Sequence, residues 1–241
     1  MLRIPDLTDP RYLDELGWFL YHEKFRRDQF GGTYDEERLA HSRMLLDEVL
    51  RGCGRDPAWL CDKTVVTVGC GCTGDLATWP AAAKIAVDPL LYAYQKLRML
   101  VPDVPGTHPT VNLSVGIGDL PLLDECADLV LCRNALDHVA EPGEMLAQIR
   151  RILRADGMLY LSVDIGGRPT PDEPTVFSTE SLSALVETSF EILTRSDDHR
   201  PHSAGRARAV RIVARKRGGS APLLDREAVL EAYLAQLKRE P

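Results

Sequence analysis

Several shortages narrow what this chain can be. Aromatic residues make up only 6% of its 241 positions, and no apolar run approaches the roughly 18 residues that suggest a membrane span. The opening MLRIPDLTDP carries prolines and acids where a secretory signal would be basic and then apolar. The expectation is a cytoplasmic protein with no membrane partner. Positive charge is also short: 29 lysines and arginines face 36 acids, for a net charge of −7. That balance argues against a surface built to neutralise a phosphate backbone, so no nucleic-acid partner is expected. Cysteines number six (Cys53, Cys61, Cys70, Cys72, Cys126 and Cys132), and their spacings match no zinc pattern. They read as buried, reduced thiols, and no metal is expected. There is no internal repeat or low-complexity segment. A homo-oligomer is compatible with the sequence, but nothing in it supports one.

What remains is ordinary globular composition, 44% hydrophobic and 27% charged, in a chain long enough for one α/β domain with modest additions. Its organising stretch is VVTVGCGCTGDL at residues 65–76. A β-favouring run ends in Gly69, Gly71 and Gly74, and Asp75-Leu76-Ala77 is compatible with a helix start. This is a strand, a glycine turn and a helix N-terminus, a layout that brings backbone close to a ligand and aims amides at an electron-rich group. A tight structural turn would look the same. The second strand, read over 81–88, ends in Asp88, 19 residues after Gly69. A carboxylate at about that distance accepts hydrogen bonds from ribose hydroxyls in a dinucleotide-type fold, although Asp88 could also simply open the turn at Pro89.

Residues 1–60 read as a helical cap or lid, with one stripe through Tyr12, Leu13, Leu16, Phe19 and Leu20 and a second through Leu39, Met44, Leu45, Val49 and Leu50. Residues 61–217 read as the core. Further strands are expected at 110–115, 127–132, 158–163, 190–194 and 207–216, with helices at 90–100, 144–153 and 178–187. Residues 218–241 read as a linker and a closing amphipathic helix. Strands alternating with helices imply a doubly wound, Rossmann-like α/β sheet, mostly parallel, with ligand loops at the strands' carboxyl ends.

The runs VVTVGCGCTGDL, AVDPLL, GIGDLPLLDECADLVLCRNALDHV and EPGEMLAQIRRILRADGMLYLSVD, in that order and spacing, resemble the class I S-adenosylmethionine-dependent methyltransferases, particularly the small-molecule branch. The resemblance covers roughly residues 64–163, and a C-terminal antiparallel strand at 207–216 agrees with the family's sheet. It implies S-adenosyl-L-methionine as cofactor. Gly69, Cys70 and Gly71 would meet its methionine part through backbone, Asp88 the ribose hydroxyls, and Pro89 or Leu90 the adenine. Asp119 would meet the adenine amino group with the Leu120 amide beside it, and the Asn134 carbonyl would lie near the sulfonium and amine. The chain departs from the family at Thr67, where an acid usually helps to hold the cofactor's ammonium.

A sulfonium methyl is already electrophilic, so the protein mainly aligns a nucleophile and excludes water, and no general base is obligatory. If one acts, His138 is the first candidate because it follows the fourth strand and titrates near neutrality. Asp137 and Asp164 come next, and His199 and His202 read as solvated rim residues. Tyr34, Asp164 and Glu173, with Arg168 and Asp172, are candidates for a small polar acceptor offering oxygen or nitrogen. Residues 166–177 and NALDHV look most similar to methyltransferases encoded with glycan or secondary-metabolite pathways. Three alternatives stay open. A nicotinamide dehydrogenase shares the glycine turn but does not explain GDLPLLDE followed by NALDHV. A nucleic-acid methyltransferase is favoured only by the basic cluster at 206–217. A cofactor-binding but non-catalytic scaffold or regulatory protein is favoured by Thr67.

Overall fold

The computed structural model describes residues 9–30, 34–198, 202 and 208–217. Its centre is a seven-stranded sheet in the order β3-β2-β1-β4-β5-β7-β6, built from β1 (Thr64–Val68), β2 (Ala83–Val87), β3 (Thr110–Leu113), β4 (Ala127–Arg133), β5 (Leu153–Ile165), β6 (Phe190–Asp198) and β7 (Arg208–Lys216). Neighbours pair in parallel except at β7, which runs antiparallel to both β5 and β6. This is the doubly wound sheet with one antiparallel C-terminal strand that the sequence implied. The strand order turns back between β1 and β4, the place where such sheets open a crevice beyond the strands' carboxyl ends.

Alternation along the central strands builds two cores. Val66, Val68, Val130 and Leu159 face α4 (Pro142–Ile152) and α5 (Thr179–Glu187), whose Met145, Ile149, Leu182 and Val186 are buried there. Val65, Leu129, Leu131 and Tyr160 face the other way, onto Leu45, Val49 and Leu50 of α2 (Tyr34–Cys53) and onto Trp79. The α2 helix thus packs on one face of the sheet at its central strands. Ahead of it, α1 (Pro10–Phe30) lays Tyr12, Leu16 and Phe19 against a third cluster around Cys70, Leu90 and Tyr94, while Leu13 and Leu20 of the expected stripe stay exposed. Beneath the turns, the Lys84 ammonium is fully buried and donates to Asp103 Oδ1 at 2.7 Å and to the Leu76 carbonyl at 3.0 Å. Against the cost of burial, that ammonium and the Thr110 donors hold the Asp103 carboxyl below its usual range.

Three local expectations are corrected. Residues 70–80 form turns, not a helix, because the polar groups there are engaged otherwise. Thr73 Oγ1 lies 2.9 Å from the Cys70 carbonyl and 2.8 Å from Asp75 Oδ1, and Trp79, just before Pro80, donates its indole N–H to the Ser42 carbonyl. The helix expected over 90–100 is only α3 (Leu91–Lys96), ended by Arg98 in the left-handed region at φ 58°. The fifth strand begins at Leu153, so Asp156 and Gly157 lie within β5, next to a register shift between Ala127 and Leu129. The linker and helix expected over 218–241 lie outside the described residues. Among the described residues no helix is long and apolar enough to cross a membrane.

Candidate functional site

The site forms where the loops after β1, β2, β4 and β5 meet beneath α1. Gly69 leaves β1 at φ 63°, and a Cβ there would sit 2.3 Å from Ala135 Cβ, so only glycine lets the β1 and β4 loops come this close. Gly71, at φ 54°, is covered by Phe19 of α1, whose ring tip would lie 2.5 Å from an added Cβ. The Gly69 N–H donates to the Val87 carbonyl, and Asp88 locks the turn from the next strand: its Oδ2 accepts the Gly71 N–H at 2.9 Å and its Oδ1 the Leu90 N–H at 2.8 Å. Burial pushes the Asp88 carboxyl pKa up, against the pull of those two amides.

Two connected hollows flank these turns. One, of about 280 Å³, is bordered by Val68, Asp88, Pro89, Leu90, Gly116 and Ile117, and is mainly apolar. The other, of about 350 Å³, is bordered by Cys70, Gly71, Thr73, Asp75, Arg133, Glu173 and His202, and is the more polar of the two. Glu15, Gly69, Asn134, His138 and Asp172 belong to both and mark their junction.

At that junction Asn134 leaves β4 in the left-handed region at φ 46°. Its Nδ2 lies 3.3 Å from His138 Nε2, and its Oδ1 is buried with no hydrogen-bond partner. With the amide nitrogen donating, His138 Nε2 is the acceptor and the ring proton sits on Nδ1, which faces Glu15 Oε2 at 3.6 Å. Burial, and then the carboxylates of Asp88, Asp172, Glu173 and Asp137, push Glu15 up to about 7. Asp137, His138 and Glu173 each offer an atom within 4.8 Å of the others, close enough to hold one small cation.

Of the residues singled out from sequence, the structure brings together Gly69, Cys70, Gly71, Asp88, Pro89, Leu90, Asn134, His138 and Glu173. Asp137 is buried just behind His138, and its backbone carbonyl accepts the Thr175 N–H. Asp164 is buried at the end of β5, where its Oδ1 accepts the His202 N–H at 2.9 Å. Asp119 ends a short 3-10 turn with its side chain exposed, and neither it nor Leu120 borders the hollows, where Gly116 and Ile117 stand instead. The Tyr34 side chain and His199 lie outside the described residues. His202 is not a solvated rim residue: its Nε2 lies 2.8 Å from Ser162 Oγ and burial lowers its pKa.

A family model described as a methyltransferase domain matches residues 66–161. Residues 66–161 are a class I methyltransferase domain. A probable S-adenosylmethionine-dependent methyltransferase of Mycobacterium tuberculosis is 30% identical to the chain over 138 residues, 54% of the chain and 47% of that protein. One from Mycolicibacterium smegmatis is 29% identical over 203 residues, 78% and 63% respectively. The chain thus spans about half the length of such curated relatives. Among solved structures, the 1,6-didemethyltoxoflavin-N1-methyltransferase of Burkholderia thailandensis, with S-adenosylhomocysteine bound, superposes at a TM-score of 0.55 with 19% identity, covering 89% of this chain and 93% of that one. That likeness is one of fold.

Within the methyltransferase domain and the helix above it, sequence reasoning missed Glu15, Asp75 and Arg133 as cavity residues. Glu15 has a recoverable signal, since it falls on the helical face shared by Tyr12 and Phe19. Arg133 directly precedes Asn134 at the end of β4. Its partner Asp75 is 58 residues away, and nothing local announces the pairing.

Proposed function

We propose that the chain binds S-adenosylmethionine across the two hollows and directs its methyl group to an oxygen or nitrogen of a small polar molecule. The observation that carries this reading is the junction, where Gly69, Asn134 and His138 border the apolar and the polar hollow together. The residues present suit the cofactor. Gly69 and Gly71 offer bare backbone, and the orphaned Asn134 Oδ1 is a buried acceptor suited to an ammonium. Asp88 keeps capacity on each oxygen for ribose hydroxyls, and Pro89 and Leu90 supply an apolar wall for adenine.

The cofactor supplies an electrophilic methyl, so the chain's own task is alignment and exclusion of water, and orientation alone can be worth roughly 7–11 kcal/mol. In this reading α1 forms the roof, with Phe19 on the glycine turn and Glu15 over His138. The acceptor's hydroxyl or amine displaces the Asn134 amide from His138 Nε2, whose freed lone pair takes the acceptor's proton, and the Nδ1 proton facing Glu15 steadies the resulting imidazolium. Asp137 and Glu173 support that charge. Glu173 and Asp172, both bordering the polar hollow, hold the acceptor's polar groups.

Calorimetric titration with S-adenosylmethionine, S-adenosylhomocysteine and NAD tests the reading. Micromolar binding of the first two and not the third supports it, and no binding of either sulfur ligand overturns it. Thr67 favours one second reading, a cofactor-binding scaffold without turnover. Cofactor binding with no methyl transfer across a broad acceptor panel would select that reading.

A further inference from the structure

The polar hollow contains one pair of opposite charges whose geometry the proposed function does not use. Asp75 is the first residue after the glycine turn and Arg133 the last of β4. Arg133 Nη1 donates to both Asp75 oxygens, at 3.0 and 3.1 Å, and Asp75 Oδ1 lies 2.8 Å from Thr73 Oγ1. The Asp75 side chain is 3% exposed and that of Arg133 is 15% exposed. A guanidinium carries five N–H donors in a planar fork, and here only Nη1 is used. The Nε and Nη2 donors form no hydrogen bond among the described residues. Neither nitrogen is sealed from the surface, and Arg133 borders the polar hollow beside Gly69, Cys70 and Gly71. It is the only arginine or lysine among the described residues around that hollow.

Asp75 also explains why position 67 carries no acid. Thr67 and Asp75 border one small cavity of about 50 Å³ beneath the glycine turn. A carboxylate at 67 would be a second buried negative charge beside Asp75, an arrangement in which both cannot readily ionise. Threonine at 67 keeps the volume without that charge. In the turn, Asp75 spends both carboxylate oxygens on the Arg133 guanidinium and so holds that cation in place at the border of the polar hollow.

We propose that Arg133 grips the carboxylate of the cofactor's amino-acid end through its unused fork, and that Asp75 is the positioning residue that aims it. The glycine turn and Arg133 then enclose the amino-acid end between backbone and guanidinium. The ammonium of the same group is left to the buried Asn134 Oδ1, one residue along. This assignment rests on the cofactor reading above.

The test is calorimetric titration of the full chain with S-adenosylhomocysteine and with 5′-(3-aminopropylthio)adenosine, which is the same molecule without its carboxylate. Wild-type protein should bind the complete ligand at least about tenfold more tightly. Arg133→Met should remove most of that difference by weakening only the complete ligand, and Arg133→Lys should restore part of it as a point charge without a fork. Asp75→Asn should give an intermediate loss confined to the complete ligand. Equal wild-type affinity for the two ligands overturns the assignment while leaving the cofactor reading intact, and this comparison needs no folded variant. Equal weakening of both ligands by Arg133→Met assigns the pair a structural role and also overturns it. If wild-type protein binds neither, the cofactor reading itself falls and takes the assignment with it.

Discussion

Asp88 ties two turns together, accepting the Gly71 N–H on Oδ2 and the Leu90 N–H on Oδ1. The glycine turn after β1 and the turn after β2 therefore hold their shape as one unit, and the carboxylate that joins them also borders the hollow assigned to the nucleoside.

Asp88→Ala is expected to weaken S-adenosylhomocysteine binding by the roughly 1.5–3 kcal/mol of a hydrogen bond to a charged group, or about 10- to 150-fold. Calorimetry on a variant shown to be folded by circular dichroism checks this. Unchanged affinity would sink the ribose assignment.

Glu15 gives the site a pH dependence. Its carboxyl is raised from 4.5 to about 7, first by burial and then by neighbouring carboxylates. Because the folded value lies above the unfolded one, this group's contribution to stability is complete below pH 4.5 and is lost as pH rises to about 7. A bound sulfonium favours the ionised form, so binding should release a proton. S-adenosylmethionine affinity is expected to climb between about pH 6 and pH 8, more steeply than that of the uncharged thioether S-adenosylhomocysteine. Glu15→Gln should flatten the difference. Parallel profiles for the two ligands in wild-type protein would mean that Glu15 does not sense the sulfonium.

Removing the base should affect turnover and not binding. His138→Ala is expected to lower the rate of methyl transfer by about 10²- to 10⁴-fold. Its S-adenosylhomocysteine affinity should stay within about twofold. Single-turnover kinetics with any acceptor found separates the two effects, and a rate near wild type removes His138 from the chemistry.

Gly69→Ala places a methyl group 2.3 Å from Ala135 Cβ at a positive φ. The strained backbone alone costs roughly 1–3 kcal/mol. The double substitution Gly69→Ala with Ala135→Gly should recover the steric part and leave the conformational part. Thermal denaturation of the three variants reads this directly, and additive losses would show that the loops separate freely.

Much of the fold is legible because strand burial leaves strong local marks. The runs at 65–68 and 127–132 are mainly apolar, the first of them β-branched throughout, with glycine or polar punctuation at their ends, and both are central strands. The expectation failed where side chains compete with backbone. The residues 75–77 favour a helix locally, yet Thr73, Asp75 and Trp79 spend their polar groups on the Cys70 carbonyl, Arg133 and Ser42. Parts of the site made by one loop, such as Gly69 and Gly71, were readable from spacing. Arg133 was not, because its orientation depends on a partner 58 residues away, and for Glu15 the spacing gives only its face of α1 and not where that helix lies. The sequence sets His202 at the rim, but its burial follows only from β7 inserting between β5 and β6, which returns the end of β6 to the carboxyl edge beside Asp164.

The contact between Phe19 and Gly71 is an aromatic edge resting on a bare Cα. Dispersion alone holds such a contact, and parting it strands neither a charge nor a hydrogen bond. Lifting the Phe19 ring from the glycine turn therefore costs packing alone, there and against Tyr94. Movement of that ring leaves the bonds that Asp88 makes inside the turn intact.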